Sequence, residues 1–339
     1  MYLKTHVIKL IYITAITLLV SCGGQSGTIT QNAADSTQVI PEDAKELSKL
    51  IDANPENAEN YYLRARVYFN QKYLDRALAD IEDAIRYNPQ FPLYYFYKGK
   101  ILYAMNRTLE ASKAYEQAIA LDGKYEEAQM RLAELYFVTK EHEKSVNLLN
   151  TVIAANPQNP DAQFFKAMNQ KETGDTARAV ASFQKALDLD PTYYDAAVQL
   201  GLLFASKKDR LALEYFNAAL RIQPKSEEVY FARAYFYQLQ KEYKKALMDY
   251  RKVIDINPSS YTAYYNVGVI NFDAVKMDEA LRSFDICVRM NPDYLPAYYM
   301  RGLVYEYKGN KESARINYQY VVDADPKYAL AKEALQRVQ

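Results

Sequence analysis

The chain has 339 residues, 50% of them hydrophobic, with 42 basic and 42 acidic side chains and a formal net charge of zero. Balanced charge excludes the basic excess that nucleic acid requires and leaves no acidic tail, while the hydrophobic share is ample for a packed core. With only two histidines and two cysteines, no Cys/His spacing suits zinc and no disulfide framework can be built.

The N-terminus stands apart. Lys4 and Lys9 precede an uncharged apolar run, Leu10 to Val20, too short to span a bilayer and suited to a signal-peptide core. The run ends in Leu19-Val20-Ser21-Cys22, followed by Gly23-Gly24. This resembles a bacterial lipobox, in which small residues precede a cysteine that becomes the lipidated first residue. Residues 1–21 are thus expected to be a lipoprotein signal peptide and Cys22 the membrane anchor. The alternative is an ordinary secretory leader with a coincidental cysteine. By the same resemblance, Gly23 stands where an inner-membrane retention signal would have Asp, which points to the outer membrane. The missing acidic run after Cys22 points to a periplasm-facing protein, with the cell surface as the alternative.

After the cysteine, residues 22–40 read as a polar tether, rich in Gly, Ser, Thr, Gln and Asn, with a root-mean-square reach of roughly 24 Å. Residues 41–57 hold a lone helix, Pro41 to Ala53, with Leu47, Leu50 and Ile51 apolar, closed by Pro55. It looks like the second half of a degenerate unit capping the units that follow.

From Ala58 one pattern recurs. Tyr61, Ala65 and Tyr68 share a stripe of one amphipathic helix; Ala77, Ile81 and Ala84 share a stripe of a second; the polar turn Asn70-Gln71-Lys72 joins them. Small residues at the crossing let the backbones approach. Asn54-Pro55, Asn88-Pro89, Asn156-Pro157, Asp190-Pro191, Gln223-Pro224, Asn257-Pro258, Asn291-Pro292 and Asp325-Pro326 recur at 34 residues or its double, with one step of 33, and Gly123 fills the missing slot. Proline ends each second helix because it lacks the amide donor and pushes its predecessor out of the α region.

The small-residue column reads Ala65, Gly99, Ala133, Ala167, Gly201, Ala234, Gly268, Gly302, and the second-helix column Ala77, Ala111, Ser145, Ala179, Ala212, Ala246, Ala280, Ala314. In period and columns the chain strongly resembles the tetratricopeptide repeat family. The resemblance implies an all-α, right-handed solenoid of about eight helix-turn-helix repeats over residues 58–326, closed by a capping helix in 327–339 with Leu330, Ala331, Ala334, Leu335 and Val338 as its apolar stripe. Gln129, Gln163 and Ala197 depart from the opening aromatic, and repeat five is one residue short near Lys207-Lys208-Asp209.

Catalytic chemistry is missing: there is no phosphate loop, nucleophile elbow or dinucleotide fingerprint, and no cofactor is expected. His142, between Glu141 and Glu143, reads as a solvated turn residue. Cys287 falls in a small-residue column and reads as core.

A second face of the first helices carries the candidate site. Three residues before the small column stand Tyr62, Phe96, Met130, Phe164, Val198, Phe231, Tyr265 and Tyr299; one after it, Arg66, Lys100, Glu134, Met168, Leu202, Tyr235, Val269 and Leu303; four after it, Phe69, Tyr103, Phe137, Lys171, Ala205, Gln238, Phe272 and Glu306. In the resembled family this face lines the concave groove, and an aromatic-lined groove suits a segment of a partner protein. The competing reading is that these rings pack against the neighbouring helix. The Lys and Asn pattern of a carboxylate clamp is missing. The expectation is a non-catalytic interaction scaffold binding other envelope proteins or peptide segments, attached to the membrane through its lipid anchor. A glycan-binding lipoprotein, or less favourably an enzyme with an unrecognised site, is the alternative.

Overall fold

The computed structural model describes residues 41–339; Cys22, the leader and the tether lie outside the described residues. The described chain is all helix: α1 (Glu42–Ala53), then eight pairs, α2 (Ala58–Asn70) and α3 (Leu74–Tyr87), α4 (Pro92–Ala104) and α5 (Thr108–Leu121), α6 (Glu126–Val138) and α7 (His142–Ala155), α8 (Pro160–Glu172) and α9 (Thr176–Leu189), α10 (Tyr194–Ser206) and α11 (Leu211–Ile222), α12 (Glu227–Leu239) and α13 (Tyr243–Ile256), α14 (Tyr261–Asp273) and α15 (Met277–Met290), α16 (Leu295–Tyr307) and α17 (Lys311–Ala324), and finally α18 (Ala329–Arg337). Among the described residues no helix is long and apolar enough to cross a membrane.

The turn inside each pair has one design. The amide of Tyr73 reaches back to the Tyr68 carbonyl at 2.8 Å and that of Lys72 to Phe69 at 3.0 Å, the pair of bonds that closes a helix through a left-handed residue. That residue is Lys72, Asn106, Lys140, Gly174, Lys208, Lys241, Val275 and Gly309 in turn, with φ between 58° and 82°. Glycine, asparagine and unbranched lysine tolerate this region, whereas a β-branched valine is strained there. Val275 is also 58% exposed, so its side chain offers little packing in return. Val275→Gly is expected to stabilise the chain by about 1 kcal/mol, after the entropy glycine adds to the unfolded state. Urea titration checks it, and an unchanged midpoint counts against strain at this turn.

Where repeat five lacks a residue, the second helix absorbs the loss. Leu74 opens α3 three residues before Ala77, but Leu211 opens α11 one before Ala212. Asp209 closes the gap, its carboxylate accepting the Leu211 amide at 2.9 Å.

Within each pair, the small column of the first helix lies against a large side chain of the second. A Cβ on Gly99 would meet the Tyr115 ring at 2.5 Å, and one on Gly268 the Phe284 ring at 2.6 Å. The opposing Tyr115, Phe183, Phe216, Tyr250, Phe284 and Tyr318 are buried. Tyr61 donates its hydroxyl to the Pro55 carbonyl of the preceding turn at 3.0 Å, and Gln129 donates its amide to the Gly123 carbonyl at 2.9 Å. The glutamine thus makes the same bond as the tyrosine it replaces.

First helices of neighbouring repeats touch one another, as α6 does α8 and α12 does α14, while no two second helices make comparable contact. The array therefore bends with its first helices on the inside. At the ends, Ala331, Ala334, Leu335 and Val338 of the C-terminal cap are buried. In α1, Ala44 and Ile51 are buried but Leu50 is 53% exposed, so the expected apolar stripe is narrower than its sequence.

Candidate functional site

The inner face is built from the three columns, and the structure divides them. The first is largely core. Tyr62, Phe96, Met130, Val198 and Tyr299 are between 1% and 9% exposed, so they cannot form the wall of an open groove. The next repeat covers them. In four cases a tyrosine just ahead of the following first helix lies over this column: Tyr125 on Phe96 at 5.2 Å, Tyr193 on Phe164 at 5.1 Å, Tyr294 on Tyr265 at 5.2 Å and Tyr328 on Tyr299 at 5.7 Å between centroids. Stacked, tilted and edge-on pairs of this kind contribute beyond their buried area. At the place 29 residues after Phe231 stands Ser260, not a ring; Phe231 is half-buried and makes a T-shaped pair with Tyr250 at 5.5 Å.

The other two columns stay accessible over most of the array. Arg66 and Tyr103 are exposed; Lys100, Met168, Leu202, Tyr235, Phe69, Phe137, Ala205 and Phe272 are half-buried. Toward the C-terminal end the second column closes, with Val269 and Leu303 buried; in the third column Gln238 of repeat six is buried while Phe272 and Glu306 beyond it are half-buried. In repeat five the three columns hold aliphatic side chains, Val198 buried and Leu202 and Ala205 half-buried, where the repeats before and after carry Phe164 and Met168, and Phe231 and Tyr235.

Charge along this face is uneven. The Arg66 guanidinium lies 5.5 Å from the Tyr62 ring centroid, and the Lys100 ammonium 4.7 Å from that of Tyr97. Cations over ring faces are held in place while keeping their donors for a ligand. Glu127, Asp161, Asp195 and Glu228 stand three residues ahead of Met130, Phe164, Val198 and Phe231, hence on the same stripe, and all four are exposed. Tyr193 donates to Asp161 at 2.7 Å, and Tyr194 donates to Glu228. The sequence columns omitted these carboxylates; extending the stripe one turn earlier finds them.

Of two other residues, His142 differs from expectation and Cys287 does not. His142 is the first residue of α7, half-buried, with Nδ1 donating to the Asn169 amide oxygen at 3.0 Å. Asn169, fully buried, donates in turn to Ser145, whose hydroxyl donates to the Ala133 carbonyl. The histidine therefore ends a structural chain of hydrogen bonds between repeats three and four. Cys287 is core, as its column implied: it is fully buried, and burial pushes its thiol up to about 12, which leaves it protonated and inert. Among the described residues no group of three or more His, Cys, Asp and Glu could hold a metal ion.

Models described as tetratricopeptide repeat match residues 58–91, 102–168, 166–227, 227–260 and 295–328. The human DnaJ homolog subfamily C member 7 is 25% identical over 261 residues, covering 68% of this chain and 53% of that protein. The chain spans about half the length of the curated relatives it matches. Among solved structures, the C-terminal part of a TPR repeat-containing protein from Cytophaga hutchinsonii aligns with a TM-score of 0.63 at 20% identity, over 71% of this chain and 99% of that one. A tetratricopeptide repeat protein from Parabacteroides merdae aligns with a TM-score of 0.52 at 15% identity, over 73% and 98%. At such identities the likeness is one of fold.

Proposed function

We propose that this chain, which belongs to the tetratricopeptide repeat family, is a non-catalytic scaffold anchored in the bacterial envelope that binds a segment of a partner protein on its inner face. The observation that carries this reading is the run of accessible side chains on the first helices, from Arg66 and Phe69 to Phe272, left over after the core has taken the first column. A strip this long and rich in rings is unusual for a face that meets only water. Its charge pattern specifies the partner: an acidic group near Arg66 and Lys100, and basic side chains opposite Glu127, Asp161, Asp195 and Glu228.

The leader supports the anchor. We expect Cys22→Ala to leave the chain unprocessed or to release it from the outer-membrane fraction, with loss of labelled palmitate. Undiminished labelling would sink the lipid anchor at Cys22 and leave the ordinary secretory leader as the reading.

The binding site is tested in the middle of the groove, with a partner purified by its association with the tagged chain in envelopes. The small side chains of repeat five form a depression for one bulky apolar residue, and anchors of this kind contribute about 2 kcal/mol or more each. Ala205→Trp should fill it and weaken binding roughly tenfold or more, with the fold intact. Phe231→Ala should weaken binding too, but it also strips the edge contact with Tyr250, so Ala205→Trp is the cleaner probe. If Ala205→Trp binds like the parent while Arg66→Glu with Lys100→Glu abolishes binding, the site lies at the front end instead.

A further inference from the structure

The junction of repeats seven and eight holds a cavity of about 520 Å³, lined by Arg282, Asp285, Ile286, Val288 and Arg289 of α15 and by Arg301 of α16. Arg282, Asp285, Ile286 and Arg289 stand at i, i+3, i+4 and i+7, one stripe of the helix. Arg301 crosses from the next repeat, its Nη1 3.0 Å from Asp285 and its Nε donating to Asn317 at 2.7 Å. That contact occupies the one carboxylate of the lining. Arg289 donates only its Nε, to the Asp285 carbonyl at 3.3 Å, and Arg282 stands 3.8 Å from Glu279 with both side chains exposed. Three guanidiniums against one carboxylate leave the lining with two net positive charges.

No other junction repeats this. The nearest matches at the same three places are Ala79, Arg86 and Lys98, and Glu214, Arg221 and Arg233, each lacking one basic residue. In the first of these, Arg86 is also paired with Asp83 at 2.8 Å.

We propose that this cavity is an anion site for a phosphomonoester, separate from the inner face. A dianion balances two net charges. Its tetrahedral oxygens can accept guanidinium forks from several sides, whereas a planar carboxylate is satisfied by one fork. The cavity exceeds the phosphate itself, and Ile286 and Val288 offer an apolar wall to the organic part. A soluble phosphate ester and a phosphatidate headgroup present the same terminal group.

The test titrates the intact chain with glycerol phosphate by calorimetry, and in parallel measures sedimentation with phosphatidylcholine vesicles with and without phosphatidate. A lipid anchor acts on both vesicle types alike, so their difference reads the cavity. Arg282→Ala with Arg289→Ala, both on exposed side chains, should weaken the response at least tenfold, roughly the effect of one lost charge-assisted contact. Arg315→Ala, outside the cavity, should leave it unchanged. Saturable binding of glycerol phosphate that the double variant loses supports a soluble ester. A response to phosphatidate alone, lost in the same way, supports the headgroup. No response in either arm, or one the double variant retains in full, overturns the proposal.

Discussion

Gly201→Leu is expected to unfold the array from its middle. A Cβ on Gly201 would lie 2.6 Å from two carbons of the Phe216 ring, closer than packed carbon atoms approach. The ring has nowhere to move: Phe216 is fully buried among Ala197, Val198, Ala212, Ala219, Val229 and Phe236. Leucine adds three more carbons at this crossing, so the cost should reach about 3 kcal/mol or more, the upper range for overpacked cores. A solenoid repeat is stabilised by its neighbours, so losing repeat five divides the array into two shorter pieces. Hydrogen exchange should show α8 to α13 opening well before the ends. Repeats four to six as protected as in the parent would mean that the crossing can widen, and that the close Gly201–Phe216 approach sets no limit there.

Why that crossing could be found in advance, and the groove only in part, follows from what a sequence column encodes. Gly201, Ala212 and the X-Pro punctuation express local geometry that every repeat must satisfy, so the period displays them directly. The column from Tyr62 to Tyr299 has the same regularity, but its fate depends on a second chain segment. Tyr125, Tyr193, Tyr294 and Tyr328 each stand 29 residues after the ring they cover, so burial here is a relation between repeats. Helical spacing alone gives a direction, and only the packing of the next unit decides whether that direction meets water. Pairs within a repeat are hidden in a similar way: Arg64 and Asp80, Arg233 and Asp249, and Arg301 and Asn317 stand 16 residues apart on the two helices of one unit and are bonded. A single charged residue in a helix reads as surface, and nothing in Asp80 or Asp249 by itself signals that it is buried. His142 read as solvated for the same reason, because its partner Asn169 lies in the next repeat.

Arg233→Ala should be among the most damaging losses of a single charge. Arg233 donates from Nε and Nη2 to the two oxygens of Asp249 at 2.7 and 2.8 Å and from its third nitrogen to Asn217, tying α12 to α13 and to α11 of the preceding repeat. The side chains are 17% and 8% exposed. Truncation to alanine leaves a buried carboxylate without its guanidinium, a change that costs about 3–5 kcal/mol. By contrast Arg178, 78% exposed beside Asp175, should lose less than about 1 kcal/mol as alanine. Arg233→Lys should rescue little, since one ammonium cannot reproduce a fork that engages both oxygens and Asn217 together. The decisive comparison is Arg233→Met with Asp249→Leu. Removing both charges removes both desolvation penalties, so the double variant should recover most of what Arg233→Ala loses. Urea denaturation of the single and double variants measures each of these. If Arg233→Ala proves as mild as Arg178→Ala, water reaches Asp249 in the native state, and the clamp between repeats five and six carries little of the stability of the array.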